Sequence, residues 1–238
     1  MSETKRRYRR TVLGPFWNSV TLLLFVGLMS GVYSQLLSHE SQTYSLYVCA
    51  GMMLWMFLTA NLQEGGSVFF SQANLITQLP FNKFHLIFAT VWRNTIVLAH
   101  NFLVFVAIFA LTGGTLSWTK LLAIPNFALL VLIMLPWTMI LGIVCARFRD
   151  VQQIVGNLLT IGIFVTPVFW QSNRVTGAAN FAATANPLYH LIQLVRSPLL
   201  GEVPSGFTYA YACGLGALGW VIAMLMYQKL RHRIVFWL

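Results

Sequence analysis

Few residues in this chain have types and spacings suited to bond-making chemistry, and those few point to binding and passage. His39, His85, His100, His190 and His232 have no metal-ligand spacing. Cys49, Cys145 and Cys213 form no CxxC and lie in or at the ends of apolar runs, where they pack as small hydrophobes. No acid/base or metal constellation is present, so no catalytic residue is assigned. A G-x-x-x-x-G-K-[ST] phosphate loop is absent, so this chain does not bind ATP through one. Of the acids, Glu64 and Asp150 stand at the edges of apolar runs and Glu3, Glu40 and Glu202 lie outside them. Ion-coupled carriers bury carboxylates to hold the coupling ion, which argues against a proton- or sodium-driven carrier, although backbone-built ion sites stay open. Energy for uphill transport must then come from a partner. One cation does sit inside an apolar run: Arg93, about 14 Å along it. Its guanidinium fork suits phosphate; the alternative is an arginine that snorkels or packs within a helix bundle.

The elements that position these groups are apolar stretches of spanning length. The chain is 58% hydrophobic and 8% charged, against roughly 25% charged in soluble domains. Six runs, about 17–37, 44–62, 84–111, 121–145, 151–170 and 207–228, match the roughly 30 Å hydrocarbon core at about 1.5 Å per residue. An all-α polytopic membrane protein of six spans is therefore predicted. Of fifteen Lys and Arg, eleven fall in the N-terminal arm (Lys5, Arg6, Arg7, Arg9, Arg10), alternate breaks (Lys83, Arg147, Arg149) and the tail (Lys229, Arg231, Arg233). Lys120, Arg174 and Arg196 fall on the other side. The positive-inside rule puts both termini in the cytoplasm. The net charge of +10 sits at membrane edges facing anionic lipid headgroups, which accounts for it without nucleic acid. The first run is too long for a cleaved signal and is expected to remain as a span.

Three segments are more than breaks. Lys5–Leu13 alternates cations with Tyr8, Val12 and Leu13, as in a basic helix lying on the inner leaflet, and Gly14-Pro15 is expected to end it. Between the second and third spans, Glu64-Gly65-Gly66 is expected to end a helix. Val68, Phe69, Leu75, Ile76 and Leu79 then recur at near-helical spacing until Pro80. Such a short cytoplasmic amphipathic helix either fits a groove on a partner or lies at the interface. Residues 171–206 contain the apolar run Leu188–Leu194, opened by Asn186-Pro187 and expected to stop at Pro198. Re-entrant helices that dip from the outer face, or a helix flat on it, both fit. Asp150 is expected to neutralise a neighbouring cation, Arg147 or Arg149. Gly27 and Gly31 form a GxxxG that permits close helix contact.

Four stretches also carry a family resemblance. Arg6-Arg7-Tyr8-Arg9-Arg10-Thr11-Val12-Leu13-Gly14-Pro15-Phe16-Trp17 resembles the opening signature of polysaccharide-export permeases of the ABC transporter type 2 family. Ala146–Val151 resembles the loop before that family's fifth span. Thr166–Trp170 and Asn186-Pro187-Leu188 resemble its fifth-span end and outer re-entrant region, and Arg231–Leu238 resembles its tail. The resemblance runs nearly end to end. It departs in two places: the arm before the Arg-Tyr-Arg-Arg motif is short, and Thr77-Gln78 stand where a basic residue is common.

The resemblance implies one permease domain over 1–238, with an interface helix (1–15), spans (17–170), an outer re-entrant region (171–206), a last span (207–228) and a cytoplasmic tail (229–238). It implies a homodimer in the bacterial inner membrane, with two P-loop ATPase subunits that hold ATP and Mg. No cofactor or metal is expected in this chain. Asn74, Leu75, Ile76 and Leu79 would couple to the ATPase, and Arg6, Arg7, Tyr8, Arg9 and Arg10 would form the interface helix. The implied cargo is a glycan on polyprenyl pyrophosphate, such as O-antigen, capsule or teichoic acid. Pyranose faces slide on flat aromatic surfaces, so Phe169, Trp170 and Tyr189 are candidate path residues. His190 and Gln193 would stand at the outer mouth, and Arg93 would meet the pyrophosphate. A type 2 permease for a small hydrophobic drug or lipid is the alternative, and a passive channel would need no ATPase.

Overall fold

A computed structural model describes residues 16–36, 41–78, 82–171, 177 and 184–238. The basic arm with Arg6, Arg7, Tyr8, Arg9 and Arg10, and Leu79, lie outside the described residues. Among these the chain is helical and contains no strand. The long helices are α1 (Phe16–Leu36), α2 (Ser41–Ser67), α4 (Phe84–Leu111), α5 (Ala123–Arg147), α6 (Asp150–Val165), α7 (Pro187–Leu200) and α8 (Gly206–Leu230). A short α3 (Ala73–Gln78) follows α2, and α9 (Ile234–Trp237) ends the chain. Among the described residues, four helices are long and apolar enough to cross a membrane: α2, α4, the stretch Trp118–Arg147 containing α5, and α8. The two other expected spans correspond to shorter apolar helical stretches, Phe16–Val32 within α1 and Asp150–Val165.

Burial ranks the helices. Over their most apolar windows α2 is 56% buried and α5 50%, against 22% for α4 and α8. α2 and α5 are the central pair, α1 and α4 flank α2, α8 flanks α5, and α6 lies across α2 and α5. Close approach of the pair explains a departure from expectation. α2 does not end at Glu64-Gly65-Gly66 but runs on to Ser67. A Cβ on Gly65 would come within 2.7 Å of the Thr138 methyl and 3.0 Å of its carbonyl oxygen on α5. Gly65 thus lets two backbones meet within a helix rather than terminate it.

The described cations Lys83, Arg147, Arg149, Lys229, Arg231 and Arg233 share one end of the bundle, called here the basic end. A second apolar cluster lies there, joining Val68 and Phe69, Ile76 of α3, Ile87 of α4, Ile143 of α5 and Ile234 of α9. Tyr227 donates to Asn82 Oδ1 at 2.8 Å, tying α8 to the segment before α4. The Arg147 guanidinium lies 5.4 Å from the Trp237 ring. Asp150 makes no ion pair with Arg147 or Arg149; it occupies the first turn of α6, where a carboxylate faces the positive end of the helix dipole.

Candidate translocation surface

The fifth run was expected to be helical to Trp170, but α6 stops at Val165. Thr166 precedes Pro167, whose ring disfavours helical backbone in its neighbour, and Thr166 is extended at φ −82, ψ 131. With 16 residues, α6 is about 24 Å long. The chain then continues unwound into the bundle, with Thr166 and Val168 fully buried. Unwound backbone at such a place has to be satisfied by protein, and here it is. Tyr44 donates to the Phe169 carbonyl at 2.8 Å and Tyr47 to the Trp170 carbonyl at 2.9 Å. Arg196 Nη1 donates to the Pro167 carbonyl at 2.7 Å. The Trp170 indole turns back to the Phe164 carbonyl at 3.1 Å.

Arg196 is the largest fully buried side chain among the described residues. Its guanidinium stacks 4.1 Å from the Tyr47 ring, and its Nε donates to Gln193 Oε1 at 3.0 Å. Carbonyl dipoles at the end of α6 and an aromatic face thus stabilise the charge where an acid would be usual. Gly51 of α2 makes room, since a Cβ there would sit 3.1 Å from Arg196 Nη1.

α7 is the described helix of the region 171–206; residues 172–176 and 178–183, where a helical partner was expected, lie outside the described residues. Its start follows from Asn186-Pro187. Asn186 Oδ1 accepts from the Leu188 amide at 2.9 Å, Asn186 Nδ2 donates to Thr166 Oγ1 at 2.7 Å, and Pro187 needs no amide partner. Pro198 does not stop the helix, contrary to expectation: α7 continues to Leu200 and ends at Gly201, φ 92. The Leu194 carbonyl that Pro198 cannot serve accepts instead from Asn126 Nδ2 at 2.7 Å. Nine residues of α7, from His190 to Leu199, are buried against α2, α5 and α8.

Of the expected path residues, the structure brings five to this end. Phe169 and Trp170 leave α6 half-buried, and Tyr189 and Gln193 are half-buried on α7. Gln193 Nε2 donates to the Tyr189 hydroxyl at 3.2 Å. His190 differs, being 2% exposed. Its Nε2 is 2.7 Å from the Thr184 carbonyl, its Nδ1 is 3.4 Å from Thr208 Oγ1, and its ring packs on Tyr211. That is a brace between α7 and α8, with no face turned outward.

The exposed face of α6 carries polar residues that the mean hydropathy of the run does not single out. Gln153, Asn157 and Thr160 are exposed at i, i+4 and i+7, and Gln153 donates to Asn157 at 3.1 Å. Phe164 continues the line toward Phe169, with ring centroids 6.1 Å apart. The spacing was visible in the sequence, but the run is apolar on average, and averaging conceals a one-residue-wide polar stripe.

Arg93 stands apart. It pairs with Glu64 at 2.6 Å, each about a quarter exposed. The pair borders two clefts. One, of about 460 Å³ between α1, α2 and α4, also presents Asn18, Thr59, Gln63, Asn94 and Asn101. The other, of about 260 Å³, opens at the basic end beside Ser67, Ser71 and Gln72. Arg93 thus reads as an intra-bundle ion pair between two polar clefts. At that end Asn74 and Leu75 of α3 are exposed, Leu75 by 39%, while Ile76 is buried at 5%.

The family model described as ABC-2 type transporter matches residues 1–200. Among curated proteins, the chain is similar to the O-antigen export system permease protein RfbA of Myxococcus xanthus. The two are 24% identical over 198 residues, 80% of this chain and 74% of that one. It is also similar to a Klebsiella pneumoniae protein of the same name, 21% identical over 235 residues, 97% of this chain and 90% of the other.

Proposed function

The chain belongs to the ABC-2 type transporter family, and from that membership we propose that it is the membrane permease subunit of an ATP-driven exporter moving a lipid-linked polysaccharide to the outer face of the bacterial inner membrane. The basic end is cytoplasmic in this reading, by the positive-inside rule. Two copies face each other across α6, and the exposed face of α1 extends the contact. Phe16, Trp17, Leu23, Leu24 and Leu28 of α1 are all more than half exposed. A P-loop ATPase on each copy holds ATP and Mg and contacts Asn74 and Leu75; the relatives named for O-antigen export support the cargo.

The observation that carries this reading is the exposed stripe Gln153, Asn157 and Thr160. The Thr160 hydroxyl is met by the Gly156 carbonyl of its own turn at 2.9 Å, but the Gln153 and Asn157 carboxamides, joined by one hydrogen bond, would leave their other polar atoms unsatisfied against hydrocarbon. Between two copies they line a hydrated passage and offer hydrogen bonds to sugar hydroxyls. Phe164, Phe169, Trp170 and Tyr189 continue it with flat faces for pyranose rings. Arg93, already paired with Glu64, meets the pyrophosphate only if that pair exchanges partners.

A host lacking the chain should retain its polysaccharide on the lipid carrier inside the cell. The wild-type chain should restore surface polysaccharide, and a Gln153→Leu/Asn157→Leu double variant should restore less than a tenth at equal membrane abundance. Normal surface polysaccharide without the chain would overturn the cargo and favour a small hydrophobic one.

A further inference from the structure

A third and larger cleft lies away from α6, between α4 and α5 at the end opposite the basic one. It has a volume of about 940 Å³. Its floor includes Met53 and Leu54 of α2 and Val195 of α7, each under 5% exposed, so it reaches the core. One wall is a ladder of Phe102, Phe105 and Phe109, with successive centroids 5.8 and 6.3 Å apart and rings 21° from parallel. At the mouth Lys120 Nζ lies 4.1 Å from the Phe109 ring and donates to the Thr115 carbonyl.

An apolar cleft of this size is not a place for ordered water, which needs two to four polar partners. Left empty, its walls would forfeit dispersion contacts. Hydrocarbon is the matching occupant. On α4 the lining runs from Thr95 to Phe109, about 21 Å of helix, somewhat over the roughly 15 Å depth of one leaflet. A single acyl chain lying at a slant fits that length. The charge at the mouth selects the headgroup. Of the described cations at this end, Arg196 is fully buried, which leaves Lys120 as the accessible one. Both of its contacts, a carbonyl and a ring, are neutral. We infer that this cleft binds an anionic phospholipid, with one acyl chain along the phenylalanine ladder and the phosphodiester at Lys120. The inference is independent of the exporter's cargo.

The full chain, purified in mild detergent and stripped of lipid, would be titrated with dioleoyl phosphatidylglycerol and with dioleoyl phosphatidylcholine. Native mass spectrometry would count the bound lipids. One cation is worth about 1 kcal/mol toward an anionic headgroup, so phosphatidylglycerol should bind about fivefold more tightly. Lys120→Gln should abolish that preference while phosphatidylcholine binding persists. Ala99→Trp, an exposed wall position, should fill the cleft and remove binding of both, with thermal unfolding as the check on its fold. If that variant fails to fold, Thr95→Phe, one turn away on the same wall, takes its place. An unchanged preference in Lys120→Gln, or full binding in a folded cleft-filled variant, would overturn the assignment. So would displacement of phosphatidylglycerol by equimolar polyprenyl phosphate, which would give the cleft to a different lipid.

Discussion

At Leu194 and Leu132, carbonyls that prolines leave without a helical donor are each met by a side chain from another helix. Pro198 frees the first, which accepts from Asn126 at 2.7 Å; Pro136 frees the second, which accepts from the Trp220 indole at 3.2 Å. The donors are 68 and 88 residues away in sequence, so Pro198 was legible as a break but its compensation was not. Arg196 is legible in sequence only as a cation of the outer side, because the Pro167 carbonyl and the Tyr47 ring that hold it are brought near by tertiary structure alone. The Asn126 bond makes a prediction. Asn126→Ala strands a buried carbonyl and should destabilise the chain by about 1–3 kcal/mol, read as a lowered unfolding temperature in detergent. In a Pro198→Ala background the restored amide can serve Leu194, so the same substitution should cost distinctly less. Equal losses in both backgrounds would mean that Asn126 acts mainly through its 2.9 Å contact with Tyr209.

Among the elements, the apolar runs were legible because spanning length and hydrophobicity leave a strong one-dimensional signal, and the described helices begin within a few residues of them. Their ends were less so. Gly65 and Gly66 have the composition of a stop, yet at Gly65 the α5 backbone lies too close for a Cβ, and at Gly66 the Cys145 Sγ stands 3.3 Å from where one would lie. The short helix α3 appeared where near-helical spacing put it, but its two apolar residues divide. Ile76 packs against the chain's own α9 and α4, and Leu75 is 39% exposed. Leu75→Asp should therefore leave membrane yield and unfolding temperature unchanged while reducing copurification of the ATPase and export at least tenfold. Ile76→Asp places a charge in an apolar cluster and should lower the yield itself by destabilising the fold by several kcal/mol. Full export by Leu75→Asp would remove α3 from the coupling contact, whatever Ile76→Asp does.

For the whole molecule, the unequal burial of the spans is the guide. α2 and α5 form a core that closes within one chain, whereas α6 buries only Leu159 among the residues of its helix. A helix so lightly packed, with a polar stripe outward, is an incomplete surface. In the proposed dimer a two-fold axis would complete it by placing the same stripe on both sides, and residues near the axis would then meet their own copies. Gly27 and Gly31 agree with this arrangement, since a Cβ at either would meet nothing within 4 Å of this chain. A cysteine at Asn157 distinguishes a shared aqueous path from a lipid-facing helix. Cys49 and Cys145 are buried and Cys213 is exposed, so a Cys213→Ser background suffices. Asn157→Cys should react with a charged, water-borne maleimide and form an oxidative cross-link between copies, whereas Leu158→Cys, one residue round the helix, should do neither as readily. Reaction only with lipid-soluble reagents, and no cross-link at either position, would put the stripe against hydrocarbon and remove α6 from the passage.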